Sequence, residues 1–303
     1  MLYLTYIEPL YHSKDSFILN NSSGHILLDV FSTFIFGILL DAKVIYHESW
    51  SLSKIIEKDS WLHYCDKPLN HYDYVLTIDN IRNWKGLSIN EFENLKNNIL
   101  NVSQKYDNVL IKFTNVCKIH AHQLHIWYKN DYLKTDIYSE KIIPILKNLY
   151  YFKNNKDIIN QFAIHIRRGD LATQLINTGY TYNYYKNIID IINKYLNINI
   201  VVYCENWKCD DIKKLSKLKN TTLDLGNLPE FNKQFNELCR SKYLFLSPSS
   251  FSIFTGYLSN GIVIGDEKLE KFRSNIFNDL KLTPNFNIVN NIVEFGNFIK
   301  TLQ

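Results

Sequence analysis

The stretch FAIHIRRGD, Phe162 to Asp170, leads three apolar residues into a histidine, two adjacent arginines, a glycine and an aspartate. An apolar run of this kind reads as a buried strand. Charges persist at the end of a core strand only where something pairs with them. The two guanidiniums therefore need a structural carboxylate or an anionic ligand. Side chains two apart share one face of a strand, which groups His165 with Arg167 and turns Arg168 away. Arginine offers a planar fork of donors matched to phosphate oxygens. Asp170 can orient one arginine or accept a proton. An Arg–Asp pair that only holds a loop accounts for the run equally well.

A second stretch, YLFLSPSSFSIFTGYL (Tyr243 to Leu258), reads as strand, short loop and helix, with Ser249 and Ser250 at the N-cap. A helix N-terminus carries unpaired backbone N–H groups and a partial positive charge, which suits an anion. Simple capping is the plainer explanation. Two such elements after strands of one sheet, taken together, favour an anion site.

The elements that position these residues alternate. LYLTYI (Leu2 to Ile7), AKVIYH (Ala42 to His47), YDYVLTID (Tyr72 to Asp79) and NVLIKFTN (Asn108 to Asn115) are expected strands, with an apolar helix ahead of the second. From about Lys129 to Ile159 the chain turns polar and Asn/Lys-rich, a domain junction. Beyond it come strand FAIHI, helix NYYKNIIDIINKYL, strand INIVVYC, helices CDDIKKLSKLK and EFNKQFNELCRS, strand YLFLS, helix FSIFTGYLSN and strand IVIG. Strands alternating with helices predict an α/β protein with parallel sheets, which bind ligands outside the carboxyl ends of their strands. The expected division is an N-terminal α/β domain over 1–155 and a C-terminal one over 156–303.

Composition excludes several classes. In 303 residues, 46% hydrophobic and 15% aromatic content supplies full cores and argues against disorder. The balance of 34 basic against 30 acidic residues, without long runs of like charge, argues against a nucleic-acid binder. The five cysteines are odd in number and lack a paired CxxC spacing, which points to a reducing compartment. The longest apolar stretch, ILLDVFSTFIFGILLDAKVI, is broken by Asp29 and Asp41, so a buried helix is expected rather than a membrane span. The opening MLYLTYIEPL has no basic n-region or cleavage site. The expectation is a soluble, cytoplasmic protein.

The two motifs together resemble the α-1,2-fucosyltransferase-like enzymes that use GDP-fucose. The family's His-x-Arg-Arg-Gly-Asp is matched by His165, Arg167, Arg168, Gly169 and Asp170. Its last motif resembles FNELCRSKYLFLSPSSFSIFTGYLSNG, with Leu238, Cys239, Ser250, Phe251, Tyr257 and Leu258 in matching places. Near the N-terminus Gly24 is kept, but His25 and Ile26 replace the family's Asn-Gln. The family's Ser-Asp-Asp after a strand becomes Cys204-Glu205-Asn206, or the later Asp210-Asp211.

The resemblance implies a GT-B-like enzyme, with two Rossmann-like domains whose parallel sheets face a central cleft. It implies no bound cofactor or metal, with GDP-fucose as donor substrate and a glycan as acceptor. Without a metal, fixed cations and backbone dipoles must stabilise the leaving diphosphate. Arg167 is expected as the diphosphate clamp, with Ser249, Ser250, Phe251 and Ser252 adding donors. Arg168 orients the loop or meets the donor from its other side, and His165 contacts the nucleotide or buttresses the strand. Guanine needs a carboxylate acceptor, for which Glu205, Asp211 and Asp224 are candidates. Inverting transfer needs a base, for which Asp170, Asp29 and His25 are candidates. Gly24, His25 and Asp29 form the expected acceptor side.

No Asp-x-Asp sits beside a strand end to hold a nucleotide-bound metal. The histidines of HAHQLH (His120, His122, His125) lack a fourth ligand for one. Cys204 and Cys209, without a second pair, are expected to pack. Two alternatives stand beside GDP-fucose transfer: the same fold using another nucleotide sugar, and a catalytically silent nucleotide- or glycan-binding domain.

Overall fold

The computed structural model of the protein describes residues 1–7, 40–45, 66, 68–79, 89–114, 157–205, 208–226, 231–269 and 285–303, with isolated positions at 33, 34, 36, 37 and 147. The chain forms two compact units, Met1–Asn155 and Lys156–Gln303. Both are α/β, each built on a sheet whose described strands all run parallel.

The first unit carries β1 (Leu2–Ile7), β2 (Lys43–Val44), β3 (Tyr74–Asp79) and β4 (Val109–Thr114) in the order β2-β1-β4-β3. Leu4 on β1 pairs in register with Ile111 on β4, and both are fully buried. Of the strand expected over Ala42–His47, Lys43–Val44 forms β2 and a bridge pairs Ile45 with Asp66, while residues 46 and 47 lie outside the description. Helix α1 (Ile89–Ser103) joins β3 to β4 and escapes the apolar pattern because it is largely polar, burying Ile99. Of the long apolar stretch, residues 33, 34, 36, 37 and 40 are helical and buried. Among the described residues no helix is long and apolar enough to cross a membrane.

The second unit runs β5 (Ile159–Ile166), α2 (Ala172–Asn177), α3 (Tyr182–Tyr195), β6 (Asn199–Glu205), α4 (Asp210–Lys213) and β7 (Thr221–Gly226). It continues through α5 (Phe231–Arg240), β8 (Ser241–Phe245), α6 (Ser250–Leu258), β9 (Ile262–Asp266), β10 (Phe286–Val289) and α7 (Ile292–Lys300). Two of these elements correct the expected pattern. TTLDLG forms edge strand β7 between two expected helices; Thr, Asp and Gly interrupt it, and only Thr221 is buried, so it carries no apolar run. The expected helix over Cys209–Lys219 shortens to α4 and a 3-10 turn.

The sheet order β10-β9-β8-β5-β6-β7 fixes where a ligand can sit. From β5 the chain winds outward to β7, returns through α5 to β8 on the other side of β5, and winds outward to β10. The winding reverses between β5 and β8, which opens a crevice at their carboxyl ends, the place where open α/β sheets bind ligands. FAIHI ends on one side of that crevice and YLFLS on the other.

Each sheet face has its own helices. Phe162, Ile164 and Ile166 of β5 pack into one core cluster with Tyr185, Ile188 and Ile192 of α3 and Phe295 of α7. The alternate residues face α5 and α6: the His165 ring lies 5.2 Å from that of Phe251 on α6, and Tyr203 of β6 bonds Glu237 on α5. Thr181 caps α3, its hydroxyl accepting from the Tyr184 N–H at 3.3 Å.

Candidate functional site

The alternation of β5 carries past its last residue and splits the two arginines. Arg168 follows Ile166 into the α3 face, where its side chain is 0% exposed. Its Nε and Nη2 donate to the two carboxylate oxygens of Asp211 at 3.2 and 2.9 Å. Nη2 also donates to the Tyr180 carbonyl at 2.8 Å and Nη1 to the Arg167 carbonyl at 3.0 Å, while the guanidinium lies 5.7 Å from the Tyr185 ring centre. Burial is the largest single influence and opposes this charge, but the Asp211 hydrogen bond together with the charges of Tyr185, Asp211 and Cys204 outweighs it, and the arginine's pKa is raised. Arg168 therefore ties the loop after β5 to α4, the loop-orienting role of the two expected for it.

Arg167 stays with His165 on the other face and keeps 14% side-chain exposure. Its Nη1 donates to one oxygen of Glu205, at the end of β6, whose other oxygen accepts the Arg168 backbone N–H at 2.9 Å. One carboxylate thus sets the arginine's direction and the backbone next to it. Of the expected guanine acceptors, Glu205 and Asp211 each bond an arginine and keep 25% and 31% side-chain exposure. Asp224 accepts from the Gln234 amide at 2.8 Å and faces Lys233 at 3.6 Å.

Gly169 turns the chain away with φ of 62°, a left-handed conformation that glycine adopts without strain. The 3-10 turn Gly169–Leu171 follows, leading into α2. Asp170 lies in that turn, and its side chain is outside what the structure describes, as are Gly24, His25 and Asp29 altogether.

His165 buttresses the crevice from below. It is 4% exposed, and its Nδ1 lies 2.8 Å from the Ser247 hydroxyl. Burial first, and the Arg167 charge second, hold its pKa down to about 3, so the ring is neutral. Nucleotide contact gives way to a strand-bracing role.

Ser247 opens the turn between β8 and α6. Its N–H donates to the Ser252 hydroxyl at 3.0 Å, and its carbonyl accepts the Ser249 N–H at 2.7 Å. Ser252 is 0% exposed and braces the turn, which removes it from the expected ligand donors. Ser249 is the N-cap in an extended conformation, and its side chain makes no capping bond. The Ser250 side chain is outside the description, and Phe251 packs on His165 and Phe235. The chain His165–Ser247–Ser252 thus joins the end of β5 to the first turn of α6 and sets the helix's positive end at the carboxyl end of β8, the strand next to β5.

Among the described residues no group of three His, Cys, Asp or Glu side chains is arranged to hold a metal ion. The HAHQLH histidines lie outside the description. Cys204 and Cys209 are both buried in the α3-face core.

No protein-family model matches the sequence, and no curated protein matches it. Among solved structures, the crystal structure of the glycotransferase of kitacinnamycin matches at a TM-score of 0.36 and 8% identity, covering 99% of this chain and 90% of that one. A likeness that remote bears on neither the chemistry nor the site.

Proposed function

We propose that the protein is an inverting glycosyltransferase that moves L-fucose from GDP-fucose to a hydroxyl of a glycan acceptor. One observation carries the reading: Arg167 follows the end of β5 and α6 opens after the end of β8, the two neighbouring strands between which the sheet winding reverses, and His165 is bonded to Ser247 across them. An arginine fork and a helix N-terminus both suit a diphosphate. The choice of GDP and of fucose rests on the resemblance of the His-x-Arg-Arg-Gly-Asp and Ser-Ser-Phe-Ser stretches.

The chemistry follows from that placement. The acceptor hydroxyl attacks the anomeric carbon from the side opposite the diphosphate, the bond from that carbon to the β-phosphate oxygen breaks, and GDP leaves. Negative charge grows on the β-phosphate as it does so. Arg167, held in one direction by Glu205, meets that charge without having to reorganise. The hydroxyl proton passes to a base, for which Asp170, Asp29 and His25 remain candidates.

The test is calorimetric titration with GDP, followed by transfer assays with GDP-fucose, GDP-mannose and UDP-glucose across a glycan panel. GDP binding with fucose transfer is the expected outcome. GDP binding with turnover of a different donor moves the assignment to another nucleotide sugar. Binding without turnover favours the silent domain, and no binding at all ends the reading.

A further inference from the structure

A cavity of about 300 Å³ lies at the carboxyl ends of β8, β9 and β10, over the α3 and α7 face of the sheet and so opposite Arg167 and His165. Phe245 and Val289, the last residues of β8 and β10, form its floor with Ile188 of α3 and Phe295 of α7. All four are buried, at 4% exposure or less. Tyr184, Asn187, Asp266, Lys268, Asn290 and Asn291 supply its polar groups. A concave, mainly apolar space with a few placed polar groups is the usual form of a small-molecule site, and such sites begin at about 300 Å³. The volume suits a flat body of one ring or two fused rings.

Charge narrows the class further. Asp266, which lines the wall, accepts from the Tyr180 hydroxyl at 2.8 Å, from the Tyr184 hydroxyl and from the Leu269 N–H at 3.1 Å. Its acceptor capacity is taken up within the protein, and burial raises its pKa. Lys268 differs. It makes no ion pair among the described residues, and its ammonium rests 4.6 Å from the Tyr184 ring centre and 5.7 Å from that of Tyr180. Gly179 leaves room for it: with φ at 94°, a Cβ there would stand 3.1 Å from Lys268 Nζ. The Lys268 charge also acts on Asp266 and favours its carboxylate, but that carboxylate is already bonded to Tyr180, Tyr184 and Leu269. The exposed ammonium on aromatic rings at the edge of an apolar floor can still meet an anion with a flat apolar body.

We propose that this cavity is a second ligand site and that it takes a small aromatic carboxylate, its ring on the Phe245–Phe295 floor and its carboxylate on Lys268. The site is independent of the donor crevice, so its test does not depend on GDP or fucose.

The experiment titrates the full chain calorimetrically with benzoate and indole-3-carboxylate, and with the matching neutral amides. The acids should bind with Kd below about 1 mM, within reach of a ligand of about ten heavy atoms, and the amides at least tenfold more weakly. Lys268→Met should lower acid affinity to the amide level. Asn187→Trp, at an exposed position on the rim, should abolish binding of both by filling the mouth. Thermal melts check that each variant folds. Should Lys268→Met fail to fold, the acid–amide comparison and Asn187→Trp still decide. No acid binding up to about 10 mM, equal binding of acid and amide, or acid binding indifferent to either folded variant overturns the proposal.

Discussion

Arg168 and Asp211 form a two-pronged ion pair, Nε to Oδ1 at 3.2 Å and Nη2 to Oδ2 at 2.9 Å, with the arginine side chain wholly buried. The pair is the structural half of the Arg-Arg motif. Removing one partner of a fully buried pair costs about 3–5 kcal/mol, but Asp211 keeps 31% side-chain exposure and water takes up part of its charge, so about 2–3 kcal/mol is expected. Arg168→Ala should lose about that much of the second unit's stability, and Arg168→Met, which fills the space without the charge, should still leave Asp211 without its partner. Urea unfolding followed by fluorescence measures this. A shift of less than about 1 kcal/mol, the range of surface ion pairs, would mean that the pair is not a structural anchor.

His165 gives the molecule an acid sensitivity that can be assigned to one group. Its pKa is about 3 in the folded protein against an ordinary 6.5. Between those values the unfolded chain binds a proton that the folded one does not. Stability from this group is thus fully present above pH 6.5 and is lost as the pH falls toward 3. At pH 5 the loss is about 2 kcal/mol. In His165→Gln, which can still bond Ser247, the drop between pH 7.5 and pH 5 should be smaller by about that amount. Parallel slopes for the two proteins would refute a buried, neutral histidine.

How far the sequence goes can be seen in these same residues. The strand alternation of FAIHIRRGD separates Arg167 from Arg168, and the structure follows it because side chains of a strand alternate faces even one or two residues past its end. The start of α6 after Ser249 is equally legible because helix starts are marked locally, although the Ser249 side chain makes no capping bond. What the pattern cannot supply is the long-range partner. Glu205 and Asp211 meet the arginines because β6 lies beside β5, and strand pairing leaves no local mark in either segment. TTLDLG hides for a related reason. As an edge strand it buries little, so the apolar signal that reveals β5 and β8 is missing. Ser252 reads as a ligand donor until the turn geometry aims its hydroxyl at the Ser247 N–H.

Gly261 is where the start of β9 crosses closest to β8. A Cβ on it would stand 2.0 Å from the Ser241 carbonyl oxygen and 2.6 Å from that of Lys242. Both obstacles are backbone of the strand that leads to the Ser247 turn, so no side chain can swing aside. Gly261→Ala should destabilise by about 3 kcal/mol, the upper part of the overpacking range. A lowered urea midpoint at unchanged slope would register it. A midpoint within experimental error of wild type would show that the two strands separate more easily than their spacing implies.

Arg167 is the group on which the proposed reaction turns. It shares its carboxylate with the Arg168 backbone, so Glu205 keeps one bond when the Arg167 side chain is removed. Arg167→Ala should accordingly leave the melting temperature nearly unchanged while weakening GDP binding at least tenfold. Arg167→Lys keeps the charge but loses the planar fork. Because the β-phosphate gains charge toward the transition state, that variant should lose more in kcat than in GDP affinity. The expected loss is about a hundredfold or more, equivalent to about 3 kcal/mol for one preorganised donor. Glu205→Gln, which keeps the acceptor shape and removes the orienting charge, should fall between wild type and Arg167→Lys. Calorimetry with GDP, melting curves and single-turnover transfer from GDP-fucose, measured on all four proteins, separate these effects. GDP binding by Arg167→Ala at wild-type affinity, or its outright unfolding, would make the arginine structural and remove the diphosphate from the β5–β8 crevice.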